Sequence, residues 1–192
     1  MISENLTEAE LIPRLQKSDK AAMRMAYSQN IGYLAAVCSR YIISADDVSD
    51  VLQDSFIKIF SSVGSFKYNG DGSLRAWMTR IVVNESLKFL KSMKGNDCIA
   101  IENTPDIIDD TDDPDTDNVP AEVIQEMIRE LPAGYRAVFN LYVFEDKSHK
   151  EIASLLGIKE NSSASQLHRA KEILAKKIND YKSGRYGRAM EK

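Results

Sequence analysis

The stretch Ser148–Lys177, SHKEIASLLGIKENSSASQLHRAKEILAKK, decides the reading of the fold. At helical spacing Ile152, Leu155 and Leu156 make one apolar stripe, and Leu167, Ala170, Leu174 and Ile178 make a second. Between them lie Gly157 and the segment Ile158-Lys159-Glu160. A small Ala153 where two helices cross, a glycine four residues later that can take the left-handed conformation, and an apolar Ile158 under the turn predict a helix-turn-helix.

Such a unit presents its second helix outward. With about 100° per residue and Leu167 at the centre of the buried side, Ser162, Ser165, Arg169 and Lys176 fall opposite, flanked by Asn161 and Gln166. Short hydroxyl, amide and guanidinium groups are the types that reach base edges and phosphates from a helix in the major groove. Lys147–Arg188 agrees in charge, with ten Lys/Arg against four Asp/Glu. A solvated amphipathic helix in a bundle is the plain alternative. The coincidence of glycine turn, small alanine and short polar face favours DNA.

The 192 residues suffice for one sizeable domain or two small ones. No apolar run approaches the length that spans a bilayer, and the start has no signal-peptide pattern, so a cytoplasmic protein with no membrane insertion is expected. Cys38 and Cys98 lie too far apart for a metal spacing or a disulfide framework, and Cys38 reads as a buried thiol. The net charge of -4 hides a segregation: residues 96–120 carry nine acidic groups and no basic one, and the rest of the chain carries 25 basic against 20 acidic. The parts expected to fold are therefore mildly basic.

Strand-like alternation is absent, so the fold class is all-α. Thr7 ahead of Glu8 and Glu10 opens a helix through about Gln16, and a longer one is expected from Lys20 to Ile43. Ser44 then caps a helix whose buried stripe is Val48, Val51, Leu52, Phe56, Ile59 and Phe60. Its other face carries Asp46, Asp50, Gln53 and Ile57, with Asp47 and Asp54 alongside. Acids in a first turn complement the helix dipole without further function. An apolar residue ringed by carboxylates and an amide reads either as a surface awaiting a protein partner or as a plain solvated face.

The glycines of Gly64–Ser73 mark a loop, which carries Phe66, Lys67, Tyr68 and Asn69. The helix after it, Leu74 to Met93, is apolar except for a strip that includes Trp77, Arg80, Asn84 and Lys88. Rings interleaved with cations suit single-stranded nucleic acid, since bases stack on rings while cations follow phosphates. The alternative is that Phe66 and Trp77 fill the core. Asn96–Pro120, with three prolines and the acidic run, reads as an extended tether. Helices Ala121–Leu131 and Gly134–Phe144, split by Pro132, lead into the opening unit.

The segments DDVSDVLQDSFIKIFSSVGSFKYNGDGSLRAWMTRIVVNESLKFLK and LPAGYRAVFNLYVFEDKSHKEIASLLGIKENSSASQLHRAKEIL, in this order, resemble the bacterial RNA polymerase sigma factors of the extracytoplasmic-function type. The resemblance covers about residues 8–94 and 121–180. It implies a sigma-2-like helical domain over 1–95, an acidic linker over 96–120, a sigma-4-like helix-turn-helix domain over 121–182 and a basic tail over 183–192. It also implies core RNA polymerase, promoter DNA as duplex and as melted single strand, and in some settings an anti-sigma factor as partners. Asp46, Asp47, Asp50, Gln53, Asp54 and Ile57 would dock on a polymerase coiled coil. Phe66, Lys67, Tyr68 and Asn69 would capture a flipped base of the -10 element, with Trp77, Arg80, Asn84 and Lys88 holding the melted strand. Lys159, Asn161, Ser162, Ser165, Gln166 and Arg169 would read the -35 element.

Two positions depart from the family pattern. Ser163 stands where many relatives place a valine, which implies a looser recognition helix or a start displaced by one residue. Glu172 after Lys171 dilutes the usual basic run and implies modest attraction to phosphate. His149 and His168 form no constellation with the cysteines, so no catalytic residue, metal or cofactor is expected. The rival reading is a regulator whose helix-turn-helix binds an operator without polymerase.

Overall fold

The computed structural model describes residues 6–93 and 116–185. Expectations for 96–115, which is most of the acidic tether, and for 186–192 of the tail lie outside those residues. The chain divides at Phe89–Leu90 into two compact units. Every regular element among the described residues is helical.

The front unit begins with α1 (Glu8–Gln16), where the Thr7 N–H and hydroxyl both donate to Glu10 Oε2, at 3.0 and 2.9 Å. These bonds satisfy groups that a helix start leaves orphaned, and they hold the Glu10 carboxyl below its ordinary pKa. Asp19 starts α2 (Lys20–Ser39) by accepting the N–H groups of Ala21 and Ala22. The expected continuation of α2 to Ile43 does not occur. Tyr41 and Ile42 are apolar, as a helix continuation requires, yet they serve as buried residues of the connection that follows. Ser44 Oγ then accepts the Asp47 N–H at 3.3 Å and opens α3 (Ala45–Ser62).

A 3-10 turn (Val63–Ser65) and the glycine loop lead to α4 (Ser73–Met93). Leu34, Val37 and Cys38 of α2, Val51, Leu52, Phe56 and Ile59 of α3, and Leu74, Met78 and Val82 of α4 are buried, as are Leu11 and Leu15 of α1. Each such side chain contributes roughly 1.5–3 kcal/mol when it is wholly removed from water. The Cys38 thiol is buried as expected, 3.4 Å from Ser86 Oγ, and burial pushes its pKa up.

The rear unit holds α5 (Ala121–Arg129), α6 (Ala133–Val143), α7 (His149–Leu156) and α8 (Glu160–Lys182). Its core is Met127, Ile128, Leu131, Ala170, Leu174 and Ile178, and it includes Val119. The tether was expected to run to Pro120. Burial of Val119, an aliphatic residue within that last stretch, draws the chain into the rear core before α5 begins. Arg136 Nη1 donates to the carbonyls of Arg129 and Leu131, at 2.8 and 2.9 Å, and closes the end of α5. Lys177 pairs with Glu130, tying α8 to the residue that ends α5.

Ser148 and Glu151 form a capping box at the start of α7. Gly157 ends that helix at φ 74°, ψ 33°, and its N–H and that of Ile158 both donate to Ala153 O. The left-handed glycine read from the sequence is therefore present. No helix among the described residues is long and apolar enough to cross a membrane.

A Cβ added at Gly157 meets nothing within 4 Å, so Gly157→Ala isolates the backbone cost of the left-handed conformation. Chemical denaturation should show a loss of about 1–2 kcal/mol, with Gly157→Asn losing less. An unchanged midpoint for Gly157→Ala would contradict this account of the turn.

Candidate nucleic-acid and protein interfaces

On α3 the buried stripe leaves Asp46, Asp50, Gln53, Asp54 and Ile57 exposed and Asp47 half-buried. Ile57 is 62% exposed, which is far more than an isoleucine with a core role would show. Asp46, Asp50 and Asp54 form no ion pair with any described residue. Beside this face a groove of ≈ 440 Å3 runs between α2 and α3, lined by Tyr27, Ile31, Gln53, Phe56, Ile57 and Phe60 among others. Its rings pack in series, Tyr27 against Phe56 at 4.6 Å and Phe56 against Phe60 at 5.8 Å. The groove was not legible from the stripe of α3 alone, because α2 supplies one of its walls.

The loop and α4 carry the aromatic and cationic set. Phe66 and Trp77 are both half-buried and pack on each other, with ring centroids 5.1 Å apart and planes tilted by 43°. Lys67, Tyr68 and Asn69 are exposed at the loop tip. Within the loop the Tyr68 hydroxyl donates to Asp71 Oδ1 at 2.8 Å, which raises the tyrosine pKa, and the Asn69 N–H donates to Ser73 Oγ at 3.3 Å. Arg80, Asn84 and Lys88 are exposed along α4, at the spacing that keeps them on one strip. Lys88 lies 3.6 Å from Glu85, which also accepts from Lys58 at 2.7 Å. The Lys58 bond is the main reason that the Glu85 carboxyl sits below its ordinary pKa.

In the rear unit α8 begins after Lys159, and Lys159 and Asn161 are exposed while Ser162 and Arg169 are half-buried. Ser165 and Gln166 are buried, at 7% and 1% exposure, where the helical periodicity put them on an open face. Periodicity assigns a side of the cylinder and carries no information about what lies across from it. The Arg169 guanidinium pairs with Glu172 at 2.7 Å, and this bond, with a smaller contribution from His168, holds the Glu172 carboxyl below its ordinary value.

Ser163 is fully buried and its hydroxyl lies 3.0 Å from His149 Nδ1. His149 in turn stacks on Tyr142, with centroids 5.1 Å apart and planes 20° from parallel. Burial lowers the His149 pKa, with partial opposition from Glu160. The second helix of the turn unit is thus joined to α7 by a polar contact at Ser163, the position that departs from the valine of the family pattern. The partner of His149 is a serine fourteen positions on, a separation that leaves no periodic signal in the sequence.

The sigma-70 region 2 family model matches residues 26–95, and the sigma-70 region 4 model matches residues 121–174. The chain belongs to the sigma-70 family. Its relatives place it in the extracytoplasmic-function group of sigma factors. Over 188 residues it is 28% identical to the ECF RNA polymerase sigma-E factor of Haemophilus influenzae, covering 92% of this chain and 98% of that protein. The sigma-E factor of Escherichia coli K12 is 29% identical over 188 residues, covering 92% of this chain and 97% of its own. A solved structure of CnrH in complex with the cytosolic domain of CnrY covers 88% of this sigma factor and 95% of its own chain, at 20% identity and a TM-score of 0.47. Among the described residues of the sigma factor, no group of three or more His, Cys, Asp or Glu could hold a metal ion.

Glu85 gives a pH test of the α3–α4 contact. Its folded pKa is depressed, so its contribution to stability is present above the unfolded value near 4.5 and is lost as pH falls through the folded value. Denaturation at pH 7 should therefore find Glu85→Gln less stable than the parent. The gap should close as the pH is taken well below 4.5, and a gap independent of pH would show that the Lys58 bond is not its source.

Proposed function

We propose that this sigma factor binds core RNA polymerase in the cytoplasm and directs promoter recognition, strand opening and initiation. The polymerase carries out the bond chemistry, and this chain contributes binding energy and sequence choice. The observation that carries the reading lies in the front unit. An exposed Ile57 among carboxylates with no ion partner among the described residues shares that unit with a loop whose Lys67, Tyr68 and Asn69 face solvent.

The α3 face docks on a coiled coil of the polymerase, with Asp46, Asp47, Asp50 and Asp54 meeting cations and Ile57 providing the apolar contact. Lining of the adjacent groove by Tyr27, Phe56 and Phe60 supports an apolar side chain entering beside it. Phe66 to Asn69 capture an unstacked base of the -10 element. Trp77, Arg80, Asn84 and Lys88 then hold the non-template strand, with rings stacking on bases and cations following phosphates. The rear unit addresses the -35 duplex through Lys159, Asn161, Ser162 and Arg169. Residues 1–95 and 121–182 form the two working domains on this reading, and 96–120 the connection.

The docking surface is tested by reversing its charge. Asp50→Lys with Asp54→Lys should lower core polymerase affinity by about a hundredfold or more while circular dichroism and melting stay as in the parent. Undiminished co-purification with core enzyme would overturn the assignment. A mobility shift on promoter duplex by the chain alone, at the affinity seen with polymerase, would favour an independent regulator.

Strand opening is tested separately. Trp77→Ala should weaken open-complex formation by about five- to a hundredfold, the worth of one stacked base, and leave the closed complex nearly unaltered. An equal loss in both steps would remove Trp77 from strand separation.

A further inference from the structure

We propose that α1 is a brace that presets the strand-capturing loop, with Gln16 and Glu8 as its positioning residues. The inference rests on the reading of Phe66–Asn69 as that loop. α1 lies ahead of residues 26–95, where the region 2 family model matches, so nothing in the match assigns it a role.

The loop is held at both of its ends by this one helix. At the entry, Gln16 Nε2 donates to Phe66 O at 2.9 Å and to Val63 O at 3.4 Å. At the exit, Glu8 Oε2 accepts the Leu74 N–H at 3.2 Å, which satisfies one of the orphan donors in the first turn of α4. Eight residues separate the two anchors, about 12 Å along the helix axis, so α1 spans the mouth of the loop. The helix is itself fixed. Leu11, Ile12 and Leu15 are buried on its inner side, the Thr7–Glu10 pair closes its start, and Arg14 bonds Asp19 at 2.8 Å beyond its end.

Between the anchors the chain needs such help. Gly70 and Gly72 both take positive φ, at 91° and 87°, and glycine in the unbound loop has many alternatives to those conformations. Pinning Phe66 O fixes the residue whose ring lies on Trp77, so one hydrogen bond sets both the loop entry and the aromatic platform. What remains exposed between the anchors is Lys67, Tyr68 and Asn69, the tip that meets the base. A loop ordered in advance loses less conformational freedom when it captures its ligand, and the affinity for an unstacked base rises accordingly.

Gln16 is exposed and its bonds reach backbone carbonyls near the surface, so their loss should scarcely affect the melting of the domain. That separates a positioning role from a structural one. A promoter is first selected from a random library with the parent holoenzyme, and its labelled non-template -10 strand is used as the single-stranded probe. Holoenzymes carrying Gln16→Ala or Glu8→Ala should bind this probe about five- to tenfold more weakly, the size of one hydrogen bond that orders the site. Closed-complex formation on intact duplex should stay at the parent value for both variants, and the melting temperature of the free chain should do so for Gln16→Ala. Glu8→Gln keeps an oxygen that accepts the Leu74 N–H and should restore probe binding, whereas Glu8→Ala should not.

Variants that bind the probe like the parent would overturn the brace alone. So would a loss of the same size in the closed complex, or a failure of Glu8→Gln to rescue. A parent holoenzyme that binds the probe no better than its Trp77→Ala counterpart would overturn the reading of the loop, and the brace with it.

Discussion

Burial of one stripe on each amphipathic helix is the constraint from which the working surfaces follow. Leu52, Phe56 and Ile59 hold α3 inward, and the same rotation that hides them sends Asp46, Asp50, Gln53 and Ile57 out. The position of Ile57 is then a consequence of packing on the opposite side. In the rear unit, Leu167, Ala170, Leu174 and Ile178 do the same for α8. A substitution that rotates either helix alters the outward set as a whole, because the residues on a rigid cylinder move together.

Hydrogen bonds between distant positions then refine what burial leaves loose. Arg136 closes the end of α5 across five to seven residues, Gln16 reaches Phe66 across fifty, and His149 meets Ser163 across fourteen. Each is a polar contact at a place where hydrophobic packing alone tolerates more than one geometry. The serine on α8 illustrates the difference from an aliphatic residue. A valine in that position would pack without direction, whereas a hydroxyl bonded to an imidazole specifies an angle as well as a distance.

Local features were readable from the chain without coordinates. The N-caps at Thr7 and Ser44, the left-handed Gly157, the break at Pro132 and the two faces of α3 each depend on residues within one or two turns of one another. What was not readable depends on residues that meet only after folding. The extent of α2 was overstated because Tyr41 and Ile42 satisfy helical periodicity while serving the connection to α3. Ser165 and Gln166 fall on the open face of a helical wheel yet are buried, because a wheel has no information beyond its own helix. The groove beside Ile57 needs a wall from α2, and the tie from Gln16 to the loop joins segments whose polar residues look like any solvated surface.

The pairing of Arg169 with Glu172 has an effect on ionic-strength behaviour. An arginine that arrives at a phosphate from bulk water displaces condensed cations from the DNA, and the entropy of their release drives association. Under the proposed contact with the -35 duplex, Arg169 first leaves a carboxylate, and Glu172, once vacated, takes up a cation from solution. The two ion movements oppose each other. Engagement of this arginine therefore adds less to the salt dependence of duplex binding than a count of basic side chains suggests, and it shifts the discrimination among sequences toward directional bonds that salt screens less.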